Sequence, residues 1–196
     1  AYHLQFIAWR VLRQDWLFED APVTLGDRFF IPEVTSLLKT DEIFCDLGAY
    51  HAGVIHRFLR TTGNRFKEIW AIEPDKANVS QLRAELQKLD SKIEQRIHVL
   101  ACAVGAREER ENFFHGLGYT SQLCDLGQHP IEVTTIDQLS LAPTFLKLHL
   151  EGGELNAMQG GLQALKRFRP IIAATIYHNR LGIWEVPKWL MGNLVD

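Results

Sequence analysis

Short apolar runs alternate with amphipathic segments through most of this chain, and that rhythm restricts the fold more than any other feature. "EIFCDLG" (42–48) is a brief apolar run closed by a glycine turn. "AGVIHRFLRTT" (52–62) then spaces Val54, Ile55, Phe58 and Leu59 as one helical face. "KEIWAIEP" (67–74) reads as a second strand. "DKANVSQLRAELQKL" (75–89) reads as a second helix, with Asp75 as N-cap and Val79, Leu82, Leu86 and Leu89 on one side. A third strand is expected over 96–104, and two shorter ones in "ENFFHG" and "IEVTTI". "TFLKLHLE" (144–151) predicts a strand, 153–165 a helix, 169–178 a strand, and "GIWEVPKWLMGN" a short helix or loop. Strands alternating with helices of this length build an α/β fold, a mostly parallel sheet with helices on both faces.

At 196 residues the chain fits a single domain with a sizeable core. Residues 1–40 are expected to cap the rest: "AYHLQFIAWRVLRQDW" has Leu4, Ile7, Ala8, Val11 and Leu12 at helical spacing, and "DRFFIPEV" reads as a short strand ended by Pro32, then a short helix. Residues 41–196 form the main domain in this reading. The composition, 46% hydrophobic and 23% charged, is that of a globular protein. A net charge of -3 with no long basic run argues against nucleic acid as a partner. Cys45, Cys102 and Cys124 show no CxxC spacing, and their odd number fits a reducing compartment, so a cytoplasmic location is expected. There is no apolar run of membrane-spanning length and no signal-peptide pattern, so no membrane partner is expected.

In parallel sheets ligands bind beyond the carboxyl ends of the strands, which directs attention to the residues ending each run. "DLGAYHAG" carries Asp46, Gly48, Ala49 and Gly53 into a helix start. The dinucleotide fingerprint GxGxxG would need glycine where Tyr50 stands, which disfavours a nicotinamide-dependent oxidoreductase. Glu73, followed by Pro74, ends the next strand, where a carboxylate in a nucleotide-binding βαβ unit accepts from ribose hydroxyls. Together these suggest a nucleoside without a diphosphate, of which S-adenosyl-L-methionine is one. A solvated carboxylate and a ligand-free turn are the plain alternatives.

With these residues in view, "FCDLGAYHAG", "WAIEPDKANVSQL", "ACAVGAREE", "TSQL", "VTTIDQL", "LKLHLEGGELNAMQGGLQAL" and "RPIIAATIYH" resemble, in that order, the FkbM-type methyltransferases, over roughly 26–190. The resemblance implies a Rossmann-like class I methyltransferase fold with a seven-stranded, mostly parallel sheet. It implies S-adenosyl-L-methionine as cofactor and methyl transfer as the activity. Asp46, Gly48, Ala49 and Gly53 would form the methionine-side loop, and Glu73 with Pro74 would hold the ribose. Residues 101–104, with Cys102 and Ala103, would pass near the adenine, Ser121 close by. Glu151 and Glu154 would belong to an acidic block near the reacting methyl, and His178 would end the fifth strand. Two departures stand out. His149 occupies the position where the family has Asp, and the family's final antiparallel strand pair needs more chain than follows His178, so that pair is expected to be missing.

The chemistry follows from these positions. His149 and Glu151, two apart on a strand, would face one side. Methyl transfer to a hydroxyl leaves a neutral thioether and requires loss of the hydroxyl proton. Histidine titrates near neutrality, so His149, Glu151 and His178 are the candidate catalytic residues. His149 reads equally well as a structural imidazole. Their types and facing suit a metal, but no tight ligand spacing is present, so none is expected. Glu154 and Asp137 read equally as helix-start residues. The expected partner is a small-molecule acceptor, such as a sugar hydroxyl. A homo-oligomer, and a catalytically silent binding protein on the same fold, both stay open.

Overall fold

The computed structural model describes residues 28–114, 122–123 and 129–194. The expected N-terminal helix, Ser121 and Cys124 lie outside them. The core is a parallel sheet of five strands: β1 (Ile43–Leu47), β2 (Glu68–Ile72), β3 (Ile97–Leu100), β8 (Phe145–Leu148) and β9 (Ile171–Ala174), in the order β3-β2-β1-β8-β9. A second sheet holds β4 (Ala103–Val104), β5 (Glu109–Phe114), β6 (Gln122–Leu123) and β7 (His129–Thr134), ordered β4-β7-β5-β6. Among the described residues the main sheet has the five parallel strands expected of the resemblance without its final strand pair, and a separate four-stranded sheet lies beside it. The break falls inside the run read as one strand over 96–104. It pairs with β2 only to Leu100, and Ala103–Val104 pairs instead with Val133 and Thr134.

Alternation along the strands sorts the core into two faces. Phe44, Ile69, Ala71 and Phe145 point to one side and pack against Ile55, Phe58 and Leu59 of α2 (Gly53–Thr62) and Leu82 and Leu86 of α3 (Lys76–Leu86). Cys45, Leu47, Ile72, Leu146 and Leu148 point to the other. There they meet Met158 of α5 (Glu154–Gln159), Leu165 of α6 (Leu162–Phe168) and Val186 of α7 (Gly182–Leu194). Stacked rings of Phe44, Phe58 and Phe145, at 4.5 and 4.8 Å, fill the first face. The expected cap of α3 is present, with Asp75 accepting from the backbone N–H of Ala77 and Asn78.

Three local expectations change. Residues 28–30 form a turn rather than a strand, ahead of α1 (Pro32–Thr35), and α4 (Ser91–Glu94) adds a further short helix after α3. The helix read over 153–165 splits at Gly160 and Gly161, where the chain passes close to the 103–137 segment. A Cβ on Gly160 would lie 2.1 Å from the Gly105 carbonyl oxygen, and one on Gly161 would lie 2.9 Å from Ile136. The C-terminal segment is a full helix of 13 residues despite Pro187, because Val186, Trp189, Leu190 and Leu194 bury against the second face.

Candidate active site

The strand order reverses between β1 and β8, so the crevice should open at their tips. There the chain is drawn tight. Gly48 has φ +78, and a Cβ on it would sit 2.1 Å from the carbonyl oxygen of His149, so only glycine lets the two strand ends approach. Tyr50 and Ala52 also adopt positive φ, and Ala52 caps α2 without a side-chain hydrogen bond. Apart from its own chain neighbours and helix backbone, nothing lies within 4 Å of the Cβ position of Gly53, which faces open space. A cavity of about 1120 Å³ lies over these tips.

The cavity is lined by Gly48, Ala49 and Gly53, by Glu73 and Pro74, and by Cys102 and Ala103. Glu73 is buried and already accepts from Tyr50 N–H (2.9 Å), Asp75 N–H (3.1 Å) and the Asn78 amide (3.2 Å). A carboxylate has about four acceptor positions, so one remains, on Oε2 beside Tyr50. Burial pushes the Glu73 carboxyl up from its ordinary range, against the pull of those donors. Burial likewise raises the Cys102 thiol.

Asp46 lies beneath this lining rather than in it. It is fully buried, faces Lys147 in the β1–β8 register, and meets its ammonium at 2.7 Å. The contact is a buried ion pair. Lys147 also donates to the Gly48 carbonyl (2.8 Å) and, at 3.3 Å, to that of Leu47, tying the glycine turn to β8. Burial raises the Asp46 carboxyl, and the Lys147 charge opposes this. The sequence signal for the pair was available, one acid and one base in neighbouring apolar runs, but Lys147 and Arg28 were missed.

The same cavity is lined by His149, Glu151 and His178. The expectation that His149 and Glu151 share a strand face is corrected: β8 stops at Leu148, and Glu151 sits in a turn with φ +51. The turn nonetheless brings all three together. The His149 Nε2 is 3.0 Å and the His178 Nδ1 2.8 Å from the two Glu151 oxygens. Glu154 holds the turn from behind, accepting from Leu150 N–H (2.8 Å), Gly152 N–H (3.1 Å) and the Thr175 hydroxyl (2.8 Å). It is buried and stands apart from the residues lining the cavity. Arg28 donates to His149 Nδ1 at 3.1 Å and to the Tyr177 hydroxyl at 3.3 Å. Burial, with the charges of Lys147, Arg28 and His178, pushes His149 down to about 3. Its ring is therefore neutral at pH 7 and a weak base, against the expectation of titration near neutrality. Burial, the largest influence, raises Glu151, Glu154 adds to it, and His178 and Arg28 oppose it.

A parallel sheet, with a glycine turn at the switch point and an acid at the next strand tip, defines an α/β protein whose crevice opens at the strand tips. The sequence matches the family described as "Methyltransferase FkbM domain" over residues 46–189. The chain belongs to the FkbM methyltransferase family. A crystal structure of Methyltransferase FkbM from Methylobacillus flagellatus KT superposes with a TM-score of 0.82 at 23% identity, over 98% of this chain. This chain spans 48% of that protein's. A second structure, Precorrin-6y C5,15-methyltransferase from Geobacter metallireducens GS-15, aligns at TM-score 0.48 and 14% identity, over 89% of this chain and 78% of that one. No curated protein matches the chain. Among the described residues no helix is long and apolar enough to cross a membrane.

Proposed function

We propose that this chain is an S-adenosyl-L-methionine-dependent methyltransferase that methylates an oxygen of a small molecule, a sugar or another alcohol. The observation that carries the reading is a single cavity lined both by Gly48, Glu73 and Cys102 and by the acid–base cluster His149–Glu151–His178. Its volume exceeds the roughly 300–1,000 Å³ of common ligand sites, which suits two molecules side by side.

The residues present fit the cofactor. The open face of Gly53 and the uncapped first turn of α2 suit a carboxylate, because orphan N–H groups and the helix dipole favour an anion there. The remaining acceptor position of Glu73 suits one ribose hydroxyl rather than two. Cys102 and Ala103 supply an apolar wall for a flat base. When bound, the cofactor supplies an electrophilic sulfonium methyl whose leaving group is a neutral thioether.

The chain's own work is positioning and proton removal. The acceptor hydroxyl is held at the His149–Glu151–His178 cluster. Glu151 accepts from His178 Nδ1, which leaves His178 Nε2 with its lone pair and no hydrogen-bond partner. That nitrogen takes the proton, and Glu151 steadies the resulting imidazolium. His149, neutral, orients Glu151 rather than acting as base. Alignment of hydroxyl and methyl contributes most of the rate.

The test is transfer of a labelled methyl group from S-adenosyl-L-methionine to a panel of sugars and alcohols. Product bearing the label on oxygen, with His178→Ala slowed by roughly 10²–10⁴-fold, is the expected result. Labelling of nitrogen or carbon acceptors alone would reject the oxygen assignment.

A further inference from the structure

The cluster at the tips of β8 and β9 also has the makeup of a metal-ligand set. His149, Glu151 and His178 each offer one donor atom, and these lie within 4.8 Å of one another, the one such group among the described residues. Each is partly buried and lines the cavity. The Nε2 atoms of both imidazoles are buried without a directed hydrogen bond. Buried polar atoms are normally satisfied, so His178 Nε2 is short of a partner, and His149 Nε2 has only the Glu151 oxygen at 3.0 Å, without a directed hydrogen bond. Glu151 is set by its positive-φ turn and by the Glu154 hydrogen bonds on either side, so the carboxylate is oriented before anything binds.

We infer that His149, Glu151 and His178 bind one divalent first-row transition ion in the cavity. Two imidazoles and one carboxylate suit zinc, cobalt or iron rather than magnesium or calcium, which take oxygen ligands. Three protein ligands leave positions open toward the cavity, where an oxygen ligand fits. No short motif announces the set, because His178 joins from the segment after β9, which stops at Ala174 rather than running on to His178 as expected, and lies 27 residues beyond Glu151 in the chain.

The neighbouring charges sharpen the inference. Lys147 is matched by Asp46 at 2.7 Å. Arg28 is the competing cation. An arginine only donates, so its contact at 3.1 Å makes His149 Nδ1 an acceptor and leaves the ring proton on Nε2. An ion on Nε2 moves that proton to Nδ1 and displaces Arg28. The guanidinium and the ion are therefore alternatives. The inference rests on this cluster alone and holds whether or not the cofactor reading does; a bound ion takes up the imidazole that His178 otherwise offers as base, so the two roles are alternatives.

The test uses the tag-free full chain, stripped with chelator and titrated with Co(II) by visible absorption, then with Zn(II) in competition. The expected result is one ion per chain, with affinity at least tenfold lower in His178→Ala and in Glu151→Gln, and higher in Arg28→Gln. Millimolar Mg(II) should not displace the ion. Circular dichroism checks that each variant is folded, and His178→Asn stands in if His178→Ala is not. No stoichiometric uptake by the wild-type chain overturns the inference, as does uptake unchanged by both ligand variants. Displacement by Mg(II), or no gain in Arg28→Gln, overturns the choice of ion or the displacement of Arg28, respectively. Because the readout is bound metal, loss of metal binding and loss of cofactor binding are separate results.

Discussion

Lys147→Met is the most informative single change to the scaffold beneath the site. Lys147 and Asp46 are both essentially without solvent contact and meet at 2.7 Å. Removing the ammonium leaves a buried carboxylate uncompensated and frees the Gly48 carbonyl. Breaking a buried pair from one side costs about 3–5 kcal/mol, a large share of the ~5–15 kcal/mol that holds a domain folded. At urea slopes of about 1–3 kcal/mol per molar, the midpoint should fall by roughly 1–5 M. Urea unfolding followed by tryptophan fluorescence and circular dichroism reads this. The double variant Asp46→Leu/Lys147→Met should lose much less than the sum of the singles, since removing both charges removes the desolvation cost as well. The pH dependence has a definite sign. With Lys147 gone, burial acts unopposed and the folded Asp46 pKa lies above its unfolded value near ~4. The deficit therefore grows as pH rises past that range and shrinks as pH falls toward it. A Lys147→Met protein within about 1 kcal/mol of wild type, or strictly additive singles, would refute the reasoning.

Further predictions follow from the same contacts. Gly48→Ala should destabilise by more than the ~1–2 kcal/mol of a left-handed alanine alone, because its Cβ meets the His149 carbonyl at 2.1 Å; thermal melts check this, and a neutral result would deny the close approach. His149 is held down to about 3 when folded, against about 6.5 unfolded, so its contribution is fully present above pH ~6.5 and is lost as pH falls toward 3. The slope is at most about 1.4 kcal/mol per pH unit, reduced by solvent screening. His149→Asn in chelator should show a shallower profile, and parallel profiles would contradict the assignment. Asp137→Ala should cost about 0.5–2 kcal/mol in urea unfolding without changing ligand affinity, because its carboxylate accepts from Gln163 N–H (3.2 Å) and Ala164 N–H (2.8 Å) at the start of α6.

The parts of the fold visible in the sequence are those whose signal is local. The periodic faces of α2 and α3, the Asp75 cap and the β1 and β2 runs announce themselves within a few residues. What escaped depends on contacts far along the chain. Gly160 and Gly161 look like tolerable helix positions until Gly105 and Ile136 arrive against them. Asp137 was read as a helix start, and it does cap one, but the helix lies 26 residues on. The C-terminal segment, read as a short helix or loop, is a full helix that runs through Pro187, with Val186, Trp189, Leu190 and Leu194 packed on the second face. At the site, the residues at the strand tips could be named in advance, whereas their pairing could not. Glu151 joins His149 to His178 only because the strand ends early and the chain turns through positive φ. Arg28 and Lys147 add their charges to burial in lowering His149; Arg28 carries no motif, and Lys147 sits inside the "LKLHLEGG" block without announcing its partner.

The account depends on Glu73 and the Gly48 turn gripping the same nucleoside. Calorimetric titration of S-adenosylhomocysteine into wild type and Glu73→Ala tests this directly. Saturable one-site binding to wild type, weaker by about 1–3 kcal/mol in Glu73→Ala, is predicted. No binding at millimolar ligand, or equal affinity in the two proteins, would contradict it.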